Sequence, residues 1–452
     1  MLEKPIYFTT CVFGIAFILL GNVATNSIAF GLSVLDAAGQ SSIKNRDEVV
    51  RAIAMGTVLF SCVIHGLWRQ GGIYLNNILA VVKILILLMI FIIGLLAYGG
   101  VFKRTAGALS TASAFNGAKQ DPYGYAESFL SILFAFGGFN QANYVIGEVD
   151  DPRRRYKWYA FSAVGIVSLF YILVNVSYFI VVPVNDFKNG ITDNVAHRFF
   201  ELTLGTISSS WGPRAPQMLS GFMAICSLGN IIVMTYTAAR VKQEIAKEGI
   251  IPFRRFFARG FKSLRIPSFR RNTETLPEDI PLGALVLHLS MSILLILGTW
   301  TLTASDTYGL LVDLYSYTID ALFGASLGFG LLFMRLKSRN WAERSRNSGF
   351  QINSFFSSVA AALFGIANLY PLAGKWIPPK IIILLKVPWY TTGVVGSSIM
   401  VCGVLWWVMF WFVMPRIGRG HKGRYMLVTR KLWFHQENKY LVLEYEDVDF
   451  RW

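Results

Sequence analysis

The chain has 452 residues, 54% of them hydrophobic and only 15% charged, with a mean hydropathy of +0.49. Soluble domains carry about 25% charged residues, so this composition excludes a soluble globular, disordered, collagen-like or disulfide-rich chain and leaves a polytopic membrane protein. The net charge of +16 sits in short loops between apolar runs, where topology and attraction to membrane lipid explain it. No nucleic-acid partner is expected.

A helix needs about 20 apolar residues to cross the hydrocarbon of a bilayer. Ten uncharged stretches qualify, at about 6–34, 52–67, 75–99, 127–146, 158–182, 214–239, 281–302, 308–334, 353–373 and 389–414. Runs such as Ile84 to Ile93 are continuously apolar, unlike the alternating segments of about 10 residues that build a barrel. The expectation is an all-α polytopic membrane protein with about ten helices. It has a short N-terminus over 1–5, a membrane domain over 6–414 and a tail over 415–452. The tail reads either as a small hairpin or as a surface-lying segment.

The first stretch contains Gly14, Gly21 and Gly31, and the third contains Lys83, the one Lys or Arg set well inside a stretch. A lysine at that depth is a functional hypothesis by default. Snorkelling to the interface is its structural alternative.

The fourth stretch carries the chemistry. It reads Phe134-Ala135-Phe136-Gly137-Gly138-Phe139-Asn140-Gln141-Ala142-Asn143-Tyr144. Each glycine weakens a helix by about 1 kcal/mol relative to alanine, and the pair lets the backbone leave α geometry. Broken backbone at membrane depth persists only where it lines a cavity enclosed by protein, and transporters aim such breaks at polar substrates. A small-residue packing interface is the alternative, but the amides of Asn140, Gln141 and Asn143 need partners in lipid. Glu148, Asp151, Pro152 and Arg153 follow directly. They read either as a latch for a cytoplasmic gate or as an ordinary basic loop.

Asn230 follows Gly229 in the sixth stretch and could face the same cavity. In the eighth stretch, which also carries Tyr315 and Asp320, Asp313 and Tyr317 lie four residues apart on one helix face and read as an interhelical tyrosine–carboxylate hydrogen bond. His65, His288 and the cysteines Cys11, Cys62, Cys226 and Cys402 read as packing residues. No HExxH, GxSxG or paired-histidine motif is present, so no enzyme, catalytic residue, metal or cofactor is expected. With a cytoplasmic N-terminus, the inside segments hold 29 of the 42 Lys and Arg and the outside segments 12. The positive-inside rule then puts both termini in the cytoplasm.

The segment from Phe134 to Glu148 followed by Asp151-Pro152-Arg153 resembles the sixth helix of the amino acid–polyamine–organocation (APC) superfamily. It is most similar to the L-type branch and its fungal neutral amino acid and methionine permeases. Tyr236-Thr237-Ala238-Ala239-Arg240 with Ala246-Lys247-Glu248-Gly249-Ile250-Ile251-Pro252 resembles the family's eighth helix and its cytoplasmic exit, where Arg240 would join the gate. The resemblance covers about residues 6–414 and implies a five-plus-five inverted-repeat fold. It also implies that the carbonyls of Phe134, Ala135 and Gly137 bind the substrate amine, that Phe134 closes over it, and that Gly138 and Asn140 shape the unwound stretch. Lys83 would occupy the place where sodium-coupled relatives bind an ion, which implies sodium-independent transport.

Aligned on these motifs, the chain corresponds to helices 3–12 of the family, so the glycine-rich first helix and the second are expected to be missing. The loop at about 35–51 lacks the cysteine that ties animal L-type members to a heavy chain, and no disulfide-linked partner is expected. The resemblance thus implies a plasma-membrane permease for neutral L-amino acids, with methionine as one candidate substrate, alternating access, and protons as a candidate coupling ion. The alternative is a truncated or decayed, non-transporting paralogue or nutrient sensor on the same fold.

Overall fold

The computed structural model describes residues 7–102, 121–148, 152–183, 185–186, 194–207, 212, 214–262, 279–337, 354–380, 387–414, 427–437 and 440–451. The membrane-spanning part is all-helical, as expected of a polytopic membrane protein. Among the described residues, eight helical segments are long and apolar enough to cross a membrane: Phe8–Ala37, Arg46–Leu67, Gly71–Tyr98, Trp158–Val181, Arg214–Lys247, Ala304–Lys337, Phe355–Gly374 and Thr391–Val413. A shorter apolar helix, Leu282–Gly298, and the interrupted segment between Pro122 and Glu148 occupy the other two expected positions.

The first span is two helices, α1 (Phe8–Leu20) and α2 (Ala24–Ala37). Then come α3 (Arg46–Leu67), α4 (Arg69–Tyr98) and α5 (Pro122–Ala135). After a turn, a 3-10 helix runs over Gln141–Glu148, followed by α6 (Pro152–Val181), the short α7 (Val195–Leu202) and the long α8 (Arg214–Lys247). A five-residue helix, α9 (Arg254–Ala258), precedes α10 (Leu282–Gly298) and α11 (Ala304–Tyr315). The helix then widens into a π-helix over Ser316–Leu322 and continues as α12 (Phe323–Lys337). The last membrane helices are α13 (Ser354–Gly374) and α14 (Thr391–Val408).

The inner layer is α2 against α8 and α3, with α4 packed on α6 and α8. Val23, Ile28, Ala54, Ile231 and Leu285 form its apolar centre. Most of the membrane helices are greasy on every side, so hydrophobicity alone does not choose their partners. Polar contacts do part of that work. Arg51, 2% exposed, donates to the carbonyls of Thr299, at 3.2 Å, and Leu302, satisfying orphan groups at the end of α10. Asp47 Oδ1 accepts the Ala304 amide at 2.9 Å and caps α11.

Beyond the membrane helices, Phe261–Lys262 pairs with Asp279–Ile280. Strands Leu427–Glu437 and Tyr440–Arg451 pair antiparallel, with an irregularity at Trp433/Phe434. The tail therefore takes the hairpin form.

Three features differ from the sequence expectation. The first span is interrupted at Gly21-Asn22-Val23, so the break at residues 136–140 is not the only one. The sixth stretch continues as helix to Lys247. That extension buries Lys242 completely, although sequence hydropathy places it in a loop. Finally, Asp313 does not bond Tyr317: Asp313 Oδ2 meets Lys375 Nζ at 2.6 Å, and Tyr317 accepts from Trp376 Nε1 at 3.0 Å.

Candidate functional site

The helix α5 ends at Ala135, and the chain turns through Phe136 to Asn140 before the 3-10 helix begins. Gly138 has φ +105°, a backbone region closed to most residues with a Cβ, so the glycine pair produces the break by conformation. Its neighbours hold the break open. Tyr171 of α6 donates to the Ala135 carbonyl at 2.9 Å, and the Phe136 and Tyr171 rings meet edge-on at 5.1 Å. Asn140 Nδ2 donates to Tyr144 Oη at 3.0 Å. Thr237 of α8 donates its hydroxyl to Gln141 Oε1.

Of the three carbonyls expected to bind an amine, that of Phe134 accepts the Gly137 amide at 3.0 Å and that of Ala135 accepts Tyr171. A carbonyl has two lone pairs, so both keep capacity for a ligand. The Phe134 ring packs edge-on against Tyr315, with centroids 6.3 Å apart. The Tyr144 ring meets Phe17 of α1 at 5.6 Å. The break therefore touches α1, α6, α8 and α11 through polar and aromatic side chains.

Lys83 and Asn230, expected separately, come together. Lys83 Nζ donates to Asn230 Oδ1 at 2.7 Å. The pair exists because Gly229 lets α4 approach α8: a Cβ there would lie 2.7 Å from Lys83 Cε. Lys83 is partly buried and bonded within the protein rather than extended to an interface.

Arg240 stacks over the Tyr236 ring at 5.4 Å and donates to Gln243 Oε1 at 3.0 Å. Glu148 ends the 3-10 helix and Arg153 lies in the first turn of α6, and Asp151 lies outside the described residues.

Besides Arg51, two further buried cations were not singled out from sequence. Lys242 Nζ donates to the Gly21 carbonyl at 2.5 Å, at the interruption of the first span, and lies 3.1 Å from His288 Nδ1. Lys375, fully buried, pairs with Asp313 and stacks over the Tyr123 ring at 4.4 Å. Burial weakens the hold of Lys375 on its proton, but the charge and hydrogen bond of Asp313 outweigh it and keep the ammonium above its ordinary value. The shallow surface depression on α10 lined by Ser290, Ile293, Leu294, Leu297 and Gly298 contains no ionisable group.

Interrupted helices within a helical membrane bundle are a feature that membrane transporters use. The description "Amino acid permease" matches this chain across residues 1–414. The chain belongs to that family, in the APC superfamily. It is 26% identical over 434 residues to the high-affinity methionine permease of Saccharomyces cerevisiae, covering 95% of this chain and 68% of that protein. Against the low-affinity methionine permease of the same yeast it is 24% identical over 446 residues, 94% of this chain and 73% of the relative. The human b(0,+)-type amino acid transporter 1 is 27% identical over 201 residues, 44% of this chain and 38% of that protein.

Proposed function

We propose that the protein is a secondary transporter of neutral L-amino acids, methionine first among them, working by alternating access in the plasma membrane. The observation that carries this reading is the glycine-made break at residues 136–140, braced by Tyr171, Tyr144 and Thr237. The exposed residues from Ala135 to Phe139 offer carbonyls to an ammonium group in this reading, and Phe134 supplies an apolar lid beside them. Likeness to two methionine permeases supports the choice of first substrate.

Transport is sodium-independent in this reading. In support of this, Lys83 Nζ donates to Asn230 Oδ1, and an ammonium there would repel a cation bound between α4 and α8. The residues of 415–452 form a cytoplasmic tail, and Glu148, Asp151, Arg153 and Arg240 belong to the cytoplasmic mouth.

The test is uptake of labelled methionine into proteoliposomes carrying the full chain. A Cβ at Gly137 would lie 2.9 Å from the Phe134 carbonyl oxygen, so Gly137→Leu must move one of the amine-binding groups, and uptake is expected to vanish. Unchanged uptake in that variant sinks the site assignment. Replacing sodium by choline should leave the wild-type rate as it is, and a collapse of the rate refutes sodium independence.

A further inference from the structure

The π-helix at Ser316–Leu322 carries an acid that the site described above does not use. One oxygen of Asp320, Oδ2, is sealed from solvent and has no hydrogen-bond partner among the described residues. The residue as a whole stays partly exposed. Wide turns of this kind are rare and occur often at functional sites, and an acid inside a membrane segment is otherwise expected to be paired.

Among the described residues on the elements packed against it, no cation lies beside Asp320. Among elements packed against the π-helix, α1 and α14 bring only the thiols Cys11 and Cys402, and α13 brings Tyr370. From α5 come Tyr123, Tyr125 and Glu127. The cations of α12, Arg335 and Lys337, lie in its last turn. On α11 are Asp306, Tyr308, Asp313 and Tyr315, and Asp313 is already engaged by Lys375. The groups that interact electrostatically with Asp320 are Tyr315 and, from the 3-10 helix, Tyr144.

Both tyrosines touch the broken segment or its flanks. Tyr315 packs on Phe134, and Tyr144 accepts the Asn140 amide. From this juxtaposition we propose that Asp320 is a proton-binding site that couples proton entry to substrate movement. The inference rests on the transport reading above. In the step, a proton from the outer solution binds the Asp320 carboxylate to give the neutral acid, and the same proton leaves to the inner solution after the cavity reorients. Binding removes an uncompensated charge beside Tyr144 and Tyr315, so the geometry of the break depends on whether the proton is present.

The test uses the full chain in proteoliposomes, with labelled methionine followed in two modes: accumulation driven by a proton gradient, acid outside, and counterflow without a gradient. Asp320→Asn is expected to lose gradient-driven accumulation and its pH dependence while keeping counterflow, and Asp320→Glu to keep both. If Asp320→Asn does not reconstitute, Asp320→Ser carries the same prediction. Gradient-driven accumulation that survives in the carboxylate-free variant overturns the inference while leaving transport intact. Loss of counterflow in a folded, monodisperse variant also overturns it, because the carboxylate would then bind the substrate ammonium. A wild-type chain without counterflow overturns the transport reading itself, and this inference with it.

Discussion

Lys375 has no exposed side-chain surface, and its ammonium is shared between Asp313 Oδ2 at 2.6 Å and Tyr123 Oη at 3.3 Å. Three elements meet there: α5, which leads into the break, α11, which leads into the π-helix, and the end of α13. An ion pair so enclosed gains little over an apolar replacement, yet removing one partner strands the other charge and costs about 3–5 kcal/mol. Lys375→Met and Asp313→Asn should therefore each lower the thermal midpoint of the purified protein sharply. The double variant should recover most of the loss, because no charge is then left unpaired. Additive losses in the double variant would show that the two side chains act independently. Since the pair ties the start of the broken segment to α11, the single variants should also slow uptake more than equally destabilising changes elsewhere.

At the level of elements, the two interruptions differ in how much of their cause is local. The break after Ala135 was legible in the sequence because Gly137 and Gly138 weaken the helix and three amides follow at once. The break at Gly21-Asn22-Val23 has a single glycine. Its free groups are satisfied partly by Asn22, whose Oδ1 accepts the Ala24 amide at 2.9 Å and whose Nδ2 donates to the Leu19 carbonyl at 2.7 Å. The rest comes from Lys242, which reaches Gly21 from 221 residues further along the chain. No local pattern reveals a partner at that separation, and the same distance hid Lys242 itself, since its charge marks a loop until tertiary contacts enclose it. Lys83 and Asn230 were each visible as polar residues in apolar stretches, but their pairing follows from the approach of α4 to α8 at Gly229. A local cap of the Asn22 kind contributes about 1 kcal/mol. Asn22→Ala should lower the midpoint only slightly, and a collapse of the fold would show that the interruption depends on Asn22 rather than on tertiary partners.

For the whole molecule, the side of the membrane on which each end lies depends on how many segments cross. Two segments decide the parity: the interrupted one between Pro122 and Glu148, and α10, whose 17 residues rise about 25 Å against a hydrocarbon core of about 30 Å. Contacts at the two ends argue that both cross. Asp47 and Arg51 at the start of α3 bind Ala304 and the Thr299 and Leu302 carbonyls just past α10, which puts the loops before α3 and after α10 at one end. At the other end, Trp406 of α14 donates to the Ile250 carbonyl ahead of α10 at 2.8 Å, and Tyr7 packs on Phe410 at 5.6 Å. The segment Leu282–Gly298 therefore runs from one end of the bundle to the other, and Tyr7 and Phe410 share an end. The excess of Lys and Arg, 29 against 12, is the ground on which we propose that this end is cytoplasmic, by the positive-inside rule. In a background without the four native cysteines, Ser41→Cys between α2 and α3 should react with an impermeant maleimide added to intact cells. Val442→Cys on the last strand should react only after the membrane is opened. Labelling of Val442→Cys from outside would reverse the orientation, and labelling of both from outside would change the parity and remove one of the two deciding segments from the count of crossings.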